Sequence, residues 1–352
     1  MFKSASPVFR RVSSVALAFG LAAASAIAVG SLALKLQAQA PAAQAAPAAP
    51  GAPAQITPGA PGAPGGGRGA GRGRGGPRRP PQGGRGPIKV LVITKGHEFE
   101  REQFFTMLDA LGDDITWTHA EHPAADKLMN PTDAKDYDVY LFYDLGGPGV
   151  VTTKPDGTRE RVYPPPSPQL KADFEAMVKA GKGLVFLHHA AAAWAHHWPE
   201  YSEVIGGACD WYAPVTVRGI TDPGHGFYGN THQHITVVDK TSPIVAGLGD
   251  GFDIVDEAYS CAFFEDSVHP LLRTDFVPTN LAQKLNPARK YSNLAGWYKA
   301  SENSPVVYIQ IGHDHQPWEL PTYRMLVDNA IKWAASPEAL AWAKANHTTI
   351  WK

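Results

Sequence analysis

Acidic residues are missing from the first 86 positions, cysteine is nearly missing from all 352, and several common site motifs are missing throughout. No G-x-x-x-x-G-K-[ST] occurs, and no glycine fingerprint follows the apolar run Ile88–Thr94, so nucleotide binding has no support. No G-x-S-x-G occurs, which removes the usual serine hydrolase arrangement. No H-E-x-x-H occurs, so any metal site has to be assembled from separate loops. The two cysteines, Cys209 and Cys261, stand outside any C-x-x-C. An oxidising compartment would let them pair, and two buried free thiols are the equal alternative.

The chain opens with a positive segment (Lys3, Arg10, Arg11), an apolar run from Val12 to Leu34 and Ala38-Gln39-Ala40, small residues at both specificity positions of an export cleavage site. Residues 1–40 therefore read as a signal peptide or, because the run is long enough to span a bilayer, a retained anchor. Either places the rest periplasmic or secreted. Residues 41–86 hold Ala, Pro, Gly, Gln and Arg with almost no large apolar side chain, so they read as a disordered linker. Its arginines suit a membrane or cell-wall contact or plain solvation. Residues 87–352 carry 22 Lys/Arg against 33 Asp/Glu, a net of −11, which argues against nucleic acid as a partner.

Within 87–352 the elements alternate. Ile88–Thr94 is a β-branched apolar run suited to a strand buried on both faces, and Glu98–Leu111 follows with helical spacing. Further strands are expected at Ile115–His119, Asp138–Tyr143 and Gly183–His188, with a helix at Leu170–Ala180. The second half is more irregular: strands at Val215–Arg218, His234–Val238, Phe252–Val255 and Val306–Ile311, then helices at Leu320–Ala335 and Pro337–Ala345. This cadence predicts one α/β domain, a parallel sheet with helices on both faces. The Gly/Pro-rich Gly146–Pro168 segment, with a hairpin turn at Lys154–Gly157, is expected to be a lid or binding loop.

Ligands of open parallel sheets bind beyond the carboxyl ends of the strands. There the sequence delivers His97, Asp144, His188-His189, Asp256-Glu257 and Gly312-His313-Asp314-His315. All fourteen histidines fall after residue 86, so chance supplies some of these, and each taken singly suits a solvated loop. Taken together they predict a His/carboxylate site.

The segments Leu184–Trp194, Tyr201–Gly207, Asp253–Tyr259 and Gly312–Ala334, with Thr94–Met107 and Thr241–Phe252, resemble the ThuA-like (trehalose utilisation) family. The resemblance spans Ile88 to Ser336 and implies a fold similar to class I glutamine amidotransferases, a flavodoxin-like parallel sheet with helices on both faces. It excludes their reaction, because the turn that would carry a cysteine nucleophile reads His188-His189-Ala190. The family's association with disaccharide metabolism implies a carbohydrate or oxidised sugar as ligand. His97, His189, Glu257 and His313 are then the expected catalytic groups, acting as acid/base groups or as ligands of a divalent metal such as zinc. Asp144, His188, Trp194, Trp211, Tyr259 and Trp318 are the expected substrate-binding residues, although tryptophans also fill cores, and Trp194 and Trp198 read as one helical pair. A non-catalytic sugar-binding or surface scaffold module shares all of these features.

Overall fold

The computed structural model describes residues 82–222, 224, 226–278 and 292–351. The expected signal or anchor and the linker up to residue 81 lie outside them. Among the described residues no helix is long and apolar enough to cross a membrane.

The first half alternates as expected. Strands β1 (Gln82–Gly84) and β2 (Ile88–Lys95) precede helix α1 (Arg101–Asp109), followed by β3 (Ile115–Glu121) and β4 (Val139–Asp144). The hairpin β5 (Val150–Thr153) and β6 (Arg159–Val162) leads to helix α2 (Pro168–Ala180) and strand β7 (Gly183–Leu187). Helix α3 (Pro199–Ile205) precedes the short strands β8 (Gly207–Ala208), β9 (Val215–Val217) and β10 (Ile220–Asp222). The long β11 (Phe227–Val237) and β12 (Gly251–Tyr259) follow, then β13 (Ala262–Phe263), β14 (His269–Thr274), β15 (Leu294–Ser301) and β16 (Ser304–Ile309). Helices α4 (His315–Glu319), α5 (Pro321–Ala335) and α6 (Pro337–Ala345) close the chain.

Ten strands form one sheet in the order β1-β3-β2-β4-β7-β16-β15-β14-β11-β12. The five strands β3, β2, β4, β7 and β16 are parallel, the flavodoxin-like element of the fold. Alternate residues of these strands face opposite sides, as the two-residue strand period requires. Val90, Val92, Leu141, Val185 and Val307 pack with α1 and α5; Leu91, Phe142, Leu184, Phe186 and Tyr308 pack with α2 and α3. Both faces are covered, so these strands read as continuous apolar runs.

Beyond β16 the sheet departs from the parallel expectation. Four successive antiparallel pairings lead from β16 through β15, β14 and β11 to β12. An even number of reversals returns β12 to the direction of the parallel strands, so its C-terminal end joins theirs at one edge. Pairing with the long β11 carries β12 to Tyr259, well past the expected end at Val255, and Asp256 and Glu257 therefore lie within the strand. Two buried strands, His269–Thr274 and Leu294–Ser301, were not expected from the sequence pattern. At the other edge Gln82–Gly84 pairs with β3, inside the segment expected to be linker. Composition argues against burying side chains there, but backbone pairing to a strand edge needs none.

Candidate functional site

The parallel strands end at an edge where three sharp turns aim histidines at one point. After β2 the chain turns through Lys95 (φ 115°) and Gly96 (φ 90°) to His97. A Cβ on Gly96 would sit 1.9 Å from the Leu145 carbonyl oxygen, so only glycine permits this approach. After β7, His188 itself adopts φ 51°, a left-handed conformation that costs a non-glycine residue about 1–3 kcal/mol. The Tyr308 hydroxyl donates to the His188 carbonyl at 2.8 Å and helps to hold it there. After β16, Gly312 (φ 122°) precedes His313, and a Cβ on it would meet the Tyr323 hydroxyl at 2.0 Å.

Asp256 ties β12 to this third turn. Its carboxylate accepts from the backbone N–H groups of Gly312, His313 (3.0 Å) and Glu257 (2.8 Å). Burial pushes its pKa up to about 7 against those three donors, which favour the ionised form. The Tyr143 hydroxyl holds the His313 carbonyl at 2.7 Å, and the Trp318 indole N–H holds that of Gly312 at 3.0 Å.

Three side chains then converge. His188 Nε2 lies 3.1 Å from His313 Nδ1 and 3.2 Å from Glu257 Oε2, and the last two are 3.3 Å apart. His188 Nδ1–H donates to the Gln310 carbonyl at 2.7 Å, which leaves Nε2 as the lone-pair nitrogen. The Tyr259 hydroxyl donates to that nitrogen at 2.6 Å. Burial holds the His188 pKa well below the usual imidazole range, with the charges of His313 and His97 adding to the effect. Burial also raises Glu257.

His189 lies beside this group and is oriented differently. Its Nδ1–H donates to the Asp144 carbonyl at 2.9 Å, while its buried Nε2 has no partner. Burial, followed by the neighbouring His188, holds it well below the usual range and hence neutral. Its ring centroid is 4.8 Å from that of His97, which is 5.6 Å from His313. His97, His189, Glu257 and Tyr259 line one cavity of about 220 Å³, small for a ligand cleft. Gly149, Arg161 and Tyr163 of the Gly146–Pro168 segment close one side, and Trp211, Tyr212 and Phe227 another.

All four residues expected to be catalytic are therefore neighbours, and Trp211 and Tyr259, expected to bind substrate, line the cavity. Four others are placed differently. His188 is a member of the converging group itself. The Asp144 carboxylate is buried against His122 (2.9 Å), and only its carbonyl reaches the site, through His189. Trp318 is 1 % exposed and packs on Phe104 and Tyr143 in the core. Trp194 lies against Gly146 and Gly147; its φ of 57° is not helical, yet its carbonyl accepts from the Trp198 N–H at 3.0 Å and the two rings meet edge to face at 6.5 Å, so the pair serves packing.

Gln310, Arg161, Tyr163 and Asp210 also border the site and were not expected from the sequence. None carries a local motif. Asp210 accepts from His196 (2.8 Å) and from the backbone N–H groups of Tyr212 (2.6 Å) and Ala213 (2.9 Å), which fixes the loop bearing Trp211. The adjacent Cys209 is joined to Cys261 by a disulfide, which ties that loop to the segment following β12.

Comparison with known proteins agrees with this architecture. No curated protein matches the chain in sequence. A ThuA-like protein from Parabacteroides merdae is similar in structure, with a TM-score of 0.50 and 16% identity over 71% of this chain and 90% of that one. A ThuA-like protein from Bacteroides uniformis gives a TM-score of 0.45 and 18% identity over 71% and 92% of the two chains. PurLQS from Thermotoga maritima gives 0.41 and 11% over 70% and 98%. The ThuA family model, described as trehalose utilisation, matches residues 89–334, and the chain belongs to that family.

Proposed function

We propose that the protein is an exported enzyme acting on a carbohydrate or oxidised sugar, with His188, Glu257 and His313 holding a divalent cation such as zinc and His189 serving as general base. One observation carries this reading. The three donor atoms stand 3.1, 3.2 and 3.3 Å apart, close to the edges of a tetrahedron whose centre lies about 2.0 Å from each donor, the usual zinc–nitrogen distance. The donor set also fits: two imidazoles and a carboxylate, with the His188 tautomer fixed by a backbone carbonyl as metal-binding histidines usually are. Binding a cation exchanges the hydrogen bond from Tyr259 to His188 Nε2 for a coordinate bond.

A bound divalent cation supplies Lewis acidity toward a carbonyl or hydroxyl oxygen of the ligand. The chain supplies the proton handling. His189, neutral and with Nε2 unpartnered at the cavity wall, takes a proton from a substrate hydroxyl or from a carbon next to a carbonyl. His97, exposed at the mouth and beside His189, passes it to solvent. Trp211 and Tyr259 offer faces to a sugar ring. An unpartnered buried base favours catalysis over a purely sugar-binding or scaffold role, in which a buried nitrogen without a partner is only a cost. Export is supported by the signal-like N-terminus and by the disulfide, a bond uncommon in cytosolic proteins.

Zinc titration of the purified, chelator-treated chain tests the cation. About one zinc per chain is expected, with loss of binding in His188→Ala and in Glu257→Gln. A wild-type chain that takes up no zinc, manganese or other divalent ion removes the cation from the proposal. Failure to convert or bind any of a panel of disaccharides and keto-sugars removes the carbohydrate.

A further inference from the structure

Arg161 stands out in the cavity wall. The Asp210 carboxylate in the same lining is engaged by His196 and two backbone N–H groups. Arg161 projects from β6, its guanidinium carbon 4.0 Å from the centroid of the Tyr212 ring, and Nη1 donates to the Gly149 carbonyl at 2.7 Å. One of its five N–H donors is thus used. Among the described residues no carboxylate forms an ion pair with it. Glu160, its neighbour in sequence, is taken by Lys154 at 2.6 Å. Arg101 meets Glu121, Arg218 meets Glu203 and Asp266, and Arg273 meets Glu265; Arg85, Arg159 and Arg324 also lack a carboxylate among the described residues, but Arg161 is the arginine that lines the cavity. In a domain with eleven more acidic than basic residues, a cation left facing a cavity without a carboxylate is conspicuous.

We infer that the ligand carries a carboxylate, and that it is a sugar acid whose acid group pairs with Arg161 while its ring lies against Trp211 and Tyr212. This rests on the carbohydrate reading above and narrows it. A guanidinium matches a carboxylate in two parallel hydrogen bonds, and its stacking on Tyr212 orients the fork in advance. Glu257 and the base His189 line the same cavity, so a ligand anchored by its acid group at Arg161 presents its hydroxyls toward them. Arg161 is then a specificity-determining residue carried by the hairpin.

Calorimetric titration of the purified full chain with D-glucuronate against D-glucose, and D-galacturonate against D-galactose, tests the inference. At least one uronate should bind about tenfold or more tightly than its neutral parent, the order of one charge-assisted hydrogen bond. That preference should vanish in Arg161→Gln, persist in part in Arg161→Lys, and shrink with added salt in the wild type, a readout that needs no variant. Equal binding of acid and parent overturns the inference and leaves the carbohydrate reading standing. So does a preference that survives in a folded Arg161→Gln chain, checked by circular dichroism. Binding of malonate or acetate with no sugar binding at all overturns both.

Discussion

His122 lies between two carboxylates, with Asp126 on Nδ1 and Asp144 on Nε2 at 2.9 Å. Its side chain is 12 % exposed and that of Asp144 fully buried, so solvent screens the pair weakly. Burial alone would depress the imidazole, but the hydrogen bonds and charges of Asp126 and Asp144 outweigh it and raise the pKa to about 9. The folded value thus lies above the unfolded value near 6.5. The contribution to stability is fully present below about pH 6.5 and is lost as the pH rises through about 9. At 1.36 kcal/mol per unit, the contribution is about 3 kcal/mol. Urea unfolding followed by circular dichroism between about pH 6 and pH 10 measures it, with His122→Gln as reference. The variant cannot titrate at this position and leaves two carboxylates without their cation, so it should be less stable by about 3 kcal/mol near pH 6. The gap should close toward about pH 10, where the wild type has lost the same proton. A wild type and variant whose stabilities fall in parallel across this range would refute the reasoning.

Two further expectations follow from other parts of the chain. Cys209 and Cys261 are separated by 52 residues, and closing a loop of that length restricts the unfolded chain by about 4 kcal/mol, so Cys209→Ser with Cys261→Ser should lower the melting temperature by several degrees or more. An unchanged melting temperature in that double variant would show that the pairing adds nothing. Intact-mass spectrometry of the native protein should find a chain beginning near Gln39 or Pro41; an intact Met1 in a soluble cytosolic fraction would overturn export.

The central strands were legible because burial on both faces leaves an uninterrupted apolar run, as in Ile88–Thr94 and Gly183–Leu187. The helices were legible from period and punctuation. Gly181 ends α2 in the left-handed conformation, and Ser167 caps its start by accepting from the Leu170 N–H. The antiparallel extension was harder to read. Leu294–Ser301 contains a buried lysine, Lys299, whose ammonium reaches the Glu203 carbonyl, and a glycine, Gly296, so its sequence carries no clean strand signal. Strand β12 was read short because Asp256 and Glu257 look like a polar stop. Asp256 is tolerated inside the strand because the N–H groups of Gly312 and His313, from the turn after β16, and of the adjacent Glu257 satisfy it.

The sequence by itself determined that His97, Asp144, His188-His189 and His313 gather at one sheet edge, because in a parallel sheet whatever follows each strand must emerge on the same side; Glu257 joins them only because an even number of antiparallel pairings returns β12 to that direction. It also determined what the site is not, since the turn after β7 offers imidazole where a cysteine nucleophile would stand. Only the tertiary structure decided how those groups divide. His188 and His189 are adjacent in sequence and of one residue type, yet one has its Nε2 beside Glu257 and His313 and bonded by the Tyr259 hydroxyl while the other keeps Nε2 unpartnered. Both rings donate Nδ1–H, but to two different backbone carbonyls, Gln310 and Asp144, brought from distant parts of the chain, and these turn the two Nε2 atoms toward different surroundings. Likewise, nothing local marks Arg161 as different from other exposed arginines. Its lack of a carboxylate partner and its place over Tyr212 arise from hairpin packing, and through-space pairing of this kind leaves no period or motif along the chain.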